Sequence, residues 1–229
     1  MEQIAPGVHQ VSKGVNAFII DGDAGVTLVD TGLPKRDGAI TAALTSIGRS
    51  IEEVSTIVLT HSHVDHAGGA AALKAASGAT VAASTIDAPA VQGEAKVPPP
   101  PVLDRVPFLK PLFNLLPSAK PCSVDELLGV SGPMGLVPDL SVVPTPGHTP
   151  GHISLLLDRA GGVLFVGDAA LASKRGTVGR GWMNRATEEF DASVQRLAEQ
   201  DFSIACFGHS GPIRSNAAGA FRAFAAALN

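Results

Sequence analysis

Six of the seven histidines in this chain fall in three short clusters. The first is His61-Ser62-His63-Val64-Asp65-His66, directly behind an apolar run that closes with Leu59-Thr60. In an extended segment, side chains two residues apart face the same way, so His61 and His63 can converge on one ion. Asp65 and His66 lie beyond the turn and point elsewhere, toward a second ion. Imidazole and carboxylate together suit zinc, manganese or iron better than magnesium or calcium. A solvated polar turn with titrating histidines is the plain alternative. It accounts poorly for three His and one Asp within six residues.

The second cluster is Thr145-Pro146-Gly147-His148-Thr149-Pro150-Gly151-His152. Paired Pro-Gly steps make rigid turns that hold a side chain where a strand begins. His148 and His152 are both candidate ligands, and spacing does not choose between them. Asp168 closes the run Leu164-Phe165-Val166-Gly167-Asp168, and a carboxylate there is costly unless paired or metal-bound. His209 stands in Gly208-His209-Ser210-Gly211, again behind an apolar run, Ser203–Phe207. Taken singly, Asp168 and His209 could each be a cap or a turn residue. Jointly they share a placement: each candidate follows an apolar strand or sits in a turn beside one. Ligands offered from strand ends would meet on one edge of the sheets, where loops shape a pocket.

The elements that must present these residues are legible from periodicity. Val8–Val11, Val15–Ile20 and Val26–Val29 read as strands, with a turn at Asp21-Gly22-Asp23. From Pro34 the residues Ile40, Ala43, Leu44 and Ile47 recur at helical spacing. Val54–Leu59 reads as a strand buried on both faces. An Ala-rich helix is expected from about Ala67 to Ala76, then a strand at Ala79–Ala83 and a short helix from Thr85. Strands are expected again at Leu140–Val143, His152–Leu157, Val163–Val166 and Ser203–Phe207, with a helix from about Thr187 to Glu199. A last helix is expected from near Ile213, with Ala217, Phe221, Phe224 and Leu228 as its apolar stripe. Between the halves, residues 97–121 hold eight of the 17 prolines among Phe and Leu side chains. Proline breaks regular structure, yet the segment is too apolar for a solvated linker, so it reads as a packed excursion. Strands followed by helices in both halves suggest helices outside and sheets inside.

Composition bounds the function. The 229 residues fit a single domain, 1–229. With 45% hydrophobic and 17% charged residues, there is ample apolar surface to bury, which excludes a disordered chain. A net charge of −4 argues against a nucleic-acid partner. No apolar run is long enough for a membrane span, and MEQIAPGVHQ resembles no secretory signal. Only Cys122 and Cys206 are present, which suits a reducing, cytoplasmic location. The expected partner is a small-molecule substrate, with a homodimer left open.

His61-x-His63-x-Asp65-His66, then His148, Asp168 and His209 in order, resembles the metallo-β-lactamase superfamily of binuclear metallohydrolases. Val29-Asp30-Thr31-Gly32 matches the same family's early strand-end motif, so the resemblance spans nearly the whole chain. It implies an α/β fold of α+β character, a four-layer αββα sandwich with the site along one sheet edge. It further implies that His61, His63 and His148 hold one metal and that Asp65, His66 and His209 hold the other. Asp168 would bridge the two. His148 is preferred over His152, because the family ligand follows the Thr-Pro-Gly turn; His152 becomes a supporting group and the runner-up ligand. Asp30 would orient the ligand loop by hydrogen bonding.

The implied cofactors are two divalent ions, zinc first, with manganese or iron as alternatives. The implied chemistry is attack by a bridging hydroxide on an ester-type bond, with Asp65 orienting the nucleophile and carrying its proton. Ser62 and Ser210 are expected to serve as turn hydrogen-bonding residues, and Cys206 as a buried strand residue. Typical β-lactamases of this fold carry another residue at the Asp168 position, whereas glyoxalase II-like thioesterases keep it. Those thioesterases have a C-terminal helical domain, and only about twenty residues follow His209 here. Acyl-homoserine lactonases resemble this ligand set but use a tyrosine, and this chain has none. The Ser173–Arg185 loop offers Lys174, Arg175, Arg180, Trp182 and Arg185, which could clamp an acidic substrate, although mobile surface charge is the commoner case. The expectation is therefore a glyoxalase II-like hydrolase of a thioester, lactone or related ester. Two alternatives stand beside it: a β-lactam hydrolase of the same fold, and a persulfide dioxygenase using a single iron.

Overall fold

Alternate residues along each central strand enter different cores, and that pattern builds the layers. In β3 (Asn16–Gly22) Phe18 and Ile20 face one core while Ala17 and Ile19 face another. In β11 (Val163–Gly167) Val163 and Phe165 share the core of Phe18, while Leu164 and Val166 face a third. Strands buried on both faces, as these are, require a layer on each side. The computed structural model describes residues 1–12, 15–97, 108, 119–129, 131–181, 184 and 187–228. Most of the proline-rich excursion at 97–121 lies outside these residues, as do Trp182 and Arg185 of the basic loop.

The first sheet has seven strands in chain order: β1 (Glu2–Ala5), β2 (Val8–Ser12), β3, β4 (Gly25–Val29), β5 (Val54–Val58), β6 (Thr80–Ser84) and β7 (Glu126–Leu128). Its first half is antiparallel, and β4 through β7 run parallel. The second sheet has the order β14-β11-β10-β9-β8, formed by β8 (Gly132–Pro133), β9 (Leu140–Pro144), β10 (Ile153–Leu157), β11 and β14 (Ile204–Phe207). Helices α1 (Asp37–Ser46), α2 (Val64–Ala67), α3 (Ala70–Ser77) and α4 (Ala88–Val91) supply side chains to the outer core of the first sheet. Helices α5 (Glu188–Ala198) and α6 (Ala217–Ala226) cover the second. This is the expected αββα sandwich. No helix among the described residues is long and apolar enough to cross a membrane.

The parallel pairs matter most for the site. Asp30 and Asp168 directly follow the carboxyl ends of β4 and β11. His61, Asp87 and His209 come within three residues of the ends of β5, β6 and β14, and Ser84 closes β6 itself. Crevices beyond the carboxyl ends of parallel strands are where α/β sheets bind ligands.

Several boundaries differ from expectation. The Ala-rich helix is two helices: α2 begins inside the first histidine cluster, with His63 as its N-cap, and Gly68-Gly69 separates it from α3. The last helix begins at Ala217 rather than near Ile213, because Ile213 exchanges both backbone hydrogen bonds with Ala205. Strand β3 runs through Gly22, which tightens the hairpin turn to Asp23-Ala24. Edge strands β1, β7 and β8 and the small hairpin β12 (Leu171–Ala172) with β13 (Val178–Gly179) have no counterpart in the periodicity. Each is short, and short edge strands carry little buried alternation.

Candidate metal centre

The first cluster is positioned from β5. Asp30, one residue past β4, accepts hydrogen bonds from Thr60 N (2.8 Å) and Thr60 Oγ1 (2.8 Å), fixing the segment that leads into His61. Asp30 has φ +60°, a left-handed conformation that Asp tolerates better than most residues. Its other contact is His66 Nδ1 at 2.8 Å, so one carboxylate holds both the ligand loop and one of its rings. Thr31 adds a second tie, donating from N and Oγ1 to His66 O at 2.7 Å each. The helical turn of α2 then sends Asp65 toward His209, whose Nε2 lies 3.3 Å from Asp65 Oδ2. His66 does not diverge as expected: its ring stays against His61, the centroids 4.2 Å apart, because Asp30 holds it there.

These bonds also settle which ring nitrogens face inward. Thr60 spends its hydroxyl proton on Asp30, so at 3.0 Å it accepts from His61 Nδ1–H, leaving His61 Nε2 as the free nitrogen. Asn184 spends its amide on Asp168 O (2.7 Å) and Ala169 O (3.3 Å), so its Oδ1 accepts from His148 Nδ1–H at 2.7 Å. His148 Nε2 then faces His63 Nδ1 at 2.8 Å. Outer partners that fix an imidazole's tautomer and direction are the usual support of a metal ligand.

Asp168 stands between two groups of side chains. Its Oδ1 is 3.4 Å from His66 Nε2, and its Oδ2 is 3.4 Å from His148 Nε2 and 3.1 Å from His209 Nε2. His209 Nε2 also reaches Asp65 Oδ2 at 3.3 Å. Among the described residues, three sets have ligand atoms close enough to share an ion: His61, His63 and His148; His61, His66 and Asp168; and Asp65, His66 and His209. All seven sequence candidates are thereby brought together. Gly208 makes this possible, since a Cβ there would lie 2.2 Å from Asp168 Oδ1 and 2.7 Å from His66 Cε1.

His152 has both ring nitrogens engaged by protein groups. Its Nε2 accepts from Asp168 N at 3.0 Å, and its Nδ1–H donates to Thr145 Oγ1 at 2.8 Å. Thr145 continues to Ser154 Oγ (3.0 Å), which donates to Val166 O (3.0 Å). The ring is therefore fully occupied while it holds the Asp168 backbone. Ser210 Oγ accepts from Ala172 N, as expected of a turn residue. Ser62 departs from that expectation: its hydroxyl is buried without a hydrogen-bond partner, and its backbone N–H makes the contact instead, to Asp87. Cys206 is a buried strand residue whose thiol is pushed up to about 12 by burial.

Charge divides the cluster. Burial, reinforced by His66, holds His61 well below the ordinary histidine range. Burial lowers His148 to about 4, although Asp168 pulls the other way. For His66 burial again opposes charge, but Asp168 and Asp30 overcome it and raise the ring well above the ordinary value. Burial likewise opposes a charged His209, yet its bonds to Asp168 and Asp65 raise it to about 9. Desolvation disfavours the Asp65 and Asp168 carboxylates, and their imidazole partners outweigh it, bringing Asp65 to about 2 and Asp168 well below its usual value.

Two observations test whether these residues suit a metal. His61 Nε2 and Asp168 Oδ1 are buried without a hydrogen-bond partner, and an inward-facing lone pair of each kind is what a cation satisfies. The donor set, five imidazoles and two carboxylates, matches zinc, manganese or iron. The residues fit.

Sequence reading missed three supporting residues. Asn184 is one and Asp87 another. The third is Asn16, which ties the His209 loop to β3 by donating to Phe207 O (2.8 Å) and Ser210 O (2.9 Å). None belongs to a local motif, and Asn16 lies 191 residues from Phe207 in the chain. Of the basic loop, Arg180 is engaged by Asp191 (3.1 Å) and by the Phe190 ring. Lys174, Arg175 and Arg214 line a groove of about 1020 Å³ that reaches His209.

The profile of the metallo-beta-lactamase superfamily matches residues 13–209. Among curated proteins, the chain is 31% identical over 212 residues to the uncharacterized protein YobT of Bacillus subtilis, covering 88% of this chain and 85% of that one. It is 25% identical over 234 residues to N-acyl homoserine lactonase of Bacillus cereus, covering 90% and 84%. It is 31% identical over 170 residues to hydroxyacylglutathione hydrolase of Albidiferax ferrireducens, covering 73% and 52%. Among solved structures, a metallo-beta-lactamase family protein of Thermus thermophilus superposes with a TM-score of 0.69 at 27% identity, covering 98% and 78%.

Proposed function

The chain belongs to the metallo-β-lactamase superfamily, and from that premise we propose that it is a binuclear metal-dependent hydrolase cleaving an ester-type bond, a thioester, lactone or related ester, in a small molecule. The observation that carries the reading is Asp168, whose two oxygens reach imidazoles of both ligand groups. In this reading His61, His63 and His148 hold one cation, Asp65, His66 and His209 hold a second, and Asp168 serves both. Zinc is the first expectation. Two such cations, when bound, acidify water to a nucleophile at neutral pH and polarise the scissile carbonyl.

The chain's own residues do the rest. Asp65 is the one carboxylate of the cluster with an open side, its side chain 30% exposed. Held by His209, it can take the proton of the attacking water and pass it to the leaving oxygen or sulfur. Asp168 is buried, with imidazoles of both groups ranged around its carboxylate, so it positions and does not shuttle. His152, Asn184 and Asp30 hold these groups in register through bonds that need not change during a turnover. The groove beside His209 gives a small substrate a route to the open half.

The choice of a thioester or lactone draws on relatives named for an acyl-homoserine lactone and a hydroxyacylglutathione. The test is a panel of thioester, lactone, β-lactam and phosphodiester substrates, run with metal analysis of the purified protein. Turnover of an ester-type substrate with two zinc or manganese ions per chain is expected. Turnover confined to β-lactams would move the substrate class. One iron per chain with sulfur oxidation would replace hydrolysis by dioxygenation. Failure of every ester panel with both metals bound would sink the proposal.

A further inference from the structure

Asp87 lies three residues beyond β6 and is the N-cap residue of α4, with only 2% of its surface exposed. A buried Asp at such a position ordinarily bonds the free N–H groups of its own helix. This one does not: its side chain makes no cap bond to α4. Its carboxylate turns instead to the two loops that carry the first ligand group. Oδ2 accepts from Ser62 N at 2.8 Å and from Thr149 Oγ1 at 2.9 Å, and Oδ1 accepts from Gly151 N at 2.9 Å. Ser62 is the residue between His61 and His63, and Thr149 follows His148 directly.

The fit is close on both sides. A Cβ on Gly151 would stand 2.4 Å from Asp87 Oδ1 and 2.4 Å from Ser84 Oγ, so the second Pro-Gly step of the turn owes its glycine to this carboxylate. Ser84 Oγ in turn accepts from Asp87 N at 3.1 Å, anchoring it to the end of β6. An amide could not replace the acid. Backbone N–H groups face both oxygens, and asparagine offers a single acceptor, leaving one buried N–H opposed by an NH2 group.

We infer that Asp87 is a positioning residue for the candidate metal centre: it latches the ligand loop of the first sheet to that of the second and so sets the reach between His61, His63 and His148. The inference rests on the metal-site reading above. His61 and His63 belong to one sheet and His148 to the other, so their common focus depends on how the two loops are joined. Asp87 joins them by three bonds from one carboxylate. A merely structural carboxylate would stabilise the fold without governing that focus.

The experiment compares wild type with Asp87→Asn, using zinc affinity by chelator competition and the absorption spectrum of the cobalt-loaded protein. Loss of an outer support of this kind weakens metal binding by roughly 10–100-fold, so that loss is expected together with shifted cobalt bands. Thr149→Ala removes one of the three bonds and should weaken zinc to a smaller extent, while Thr149→Ser, which keeps the hydroxyl, should restore it. Should Asp87→Asn fail to fold, the Thr149 pair decides the matter. Lower thermal stability with wild-type zinc affinity and an unchanged cobalt spectrum would overturn the inference and leave the metal-site reading standing. A wild-type protein that takes up neither zinc nor cobalt would overturn both.

Discussion

On one side of Asp168 the candidate ligands His61, His63 and His148 are sealed from solvent, and burial keeps His61 and His148 neutral. On the other side His209 and Asp65 are each about a third exposed, and His66 and His209 hold protons against carboxylates. The same residue types thus stand in two different charge states within one cluster. Neutral imidazole is already the ligating form, so the sealed half is organised before an ion arrives. The open half must give up protons first, and in exchange it has the exposure that substrate and proton transfer require. The division follows from burial together with the carboxylates each ring meets: His66 is as buried as His61, yet Asp168 and Asp30 hold it charged.

The comparison can be broken most severely at its centre. Asp168→Ala removes the group common to both halves and leaves buried imidazoles without their anionic partner, a change that costs several kcal/mol in buried networks (about 3–5). Loss of metal from both halves is expected, with hydrolysis abolished, checked by elemental analysis beside the activity assay. Asp65→Asn should separate the halves. It should reduce turnover by about 10²–10⁴-fold, the usual contribution of a positioned acid–base group, while the sealed half keeps its metal. Wild-type turnover in that variant would deny Asp65 its proton-carrying role.

A milder cut falls on the sealed half from outside. Asn184→Ala frees the His148 ring and should weaken metal there by roughly 10–100-fold, with the open half little changed, as read by two-step chelator titration. The smallest effect per step is the pH dependence of metal loading. His209 is raised to about 9, so below that pH a cation must displace its proton, and affinity in the open half should fall about tenfold per pH unit for each proton displaced. His148, at about 4, demands no such displacement until the solution is far more acid. Titrations at pH 6 and pH 8 should therefore show a steep change for the weaker site and a shallow one for the tighter. Equal slopes would erase the distinction.

The fold was legible where periodicity was strong. The apolar runs at Val15–Ile20, Val54–Leu59 and Val163–Val166 announce strands, and the structure places β3, β5 and β11 there. That β3 and β11 feed a different core from each face emerged only from the packing. Edge elements such as β7 and β8 were not legible, because few of their side chains are buried. The start of α6 was misplaced for a similar reason: Ile213 is apolar and helix-compatible, but its backbone pairs with Ala205. In the site, every candidate ligand sits in a short motif at a strand end, where residue type and spacing already speak of metal chemistry. His152 shows the limit of that signal. It shares its motif with His148, and only the tertiary structure shows that both its ring nitrogens are engaged, by Asp168 N and Thr145 Oγ1.

What the sequence determined by itself was the donor set: which imidazoles and carboxylates are available, and that they follow strands able to bring them to one edge. Local motifs suffice for this, because a ligand's chemistry is a property of its own side chain. Only the tertiary structure decided how those donors are held and charged. Asp87, Asn184 and Asn16 come to the site across 25 to 191 residues of chain, and nothing near them in sequence marks them. The split between a sealed neutral half and an open protonated half is likewise absent from the motif. It arises from desolvation and from which carboxylate each ring meets, and both are consequences of packing two sheets together.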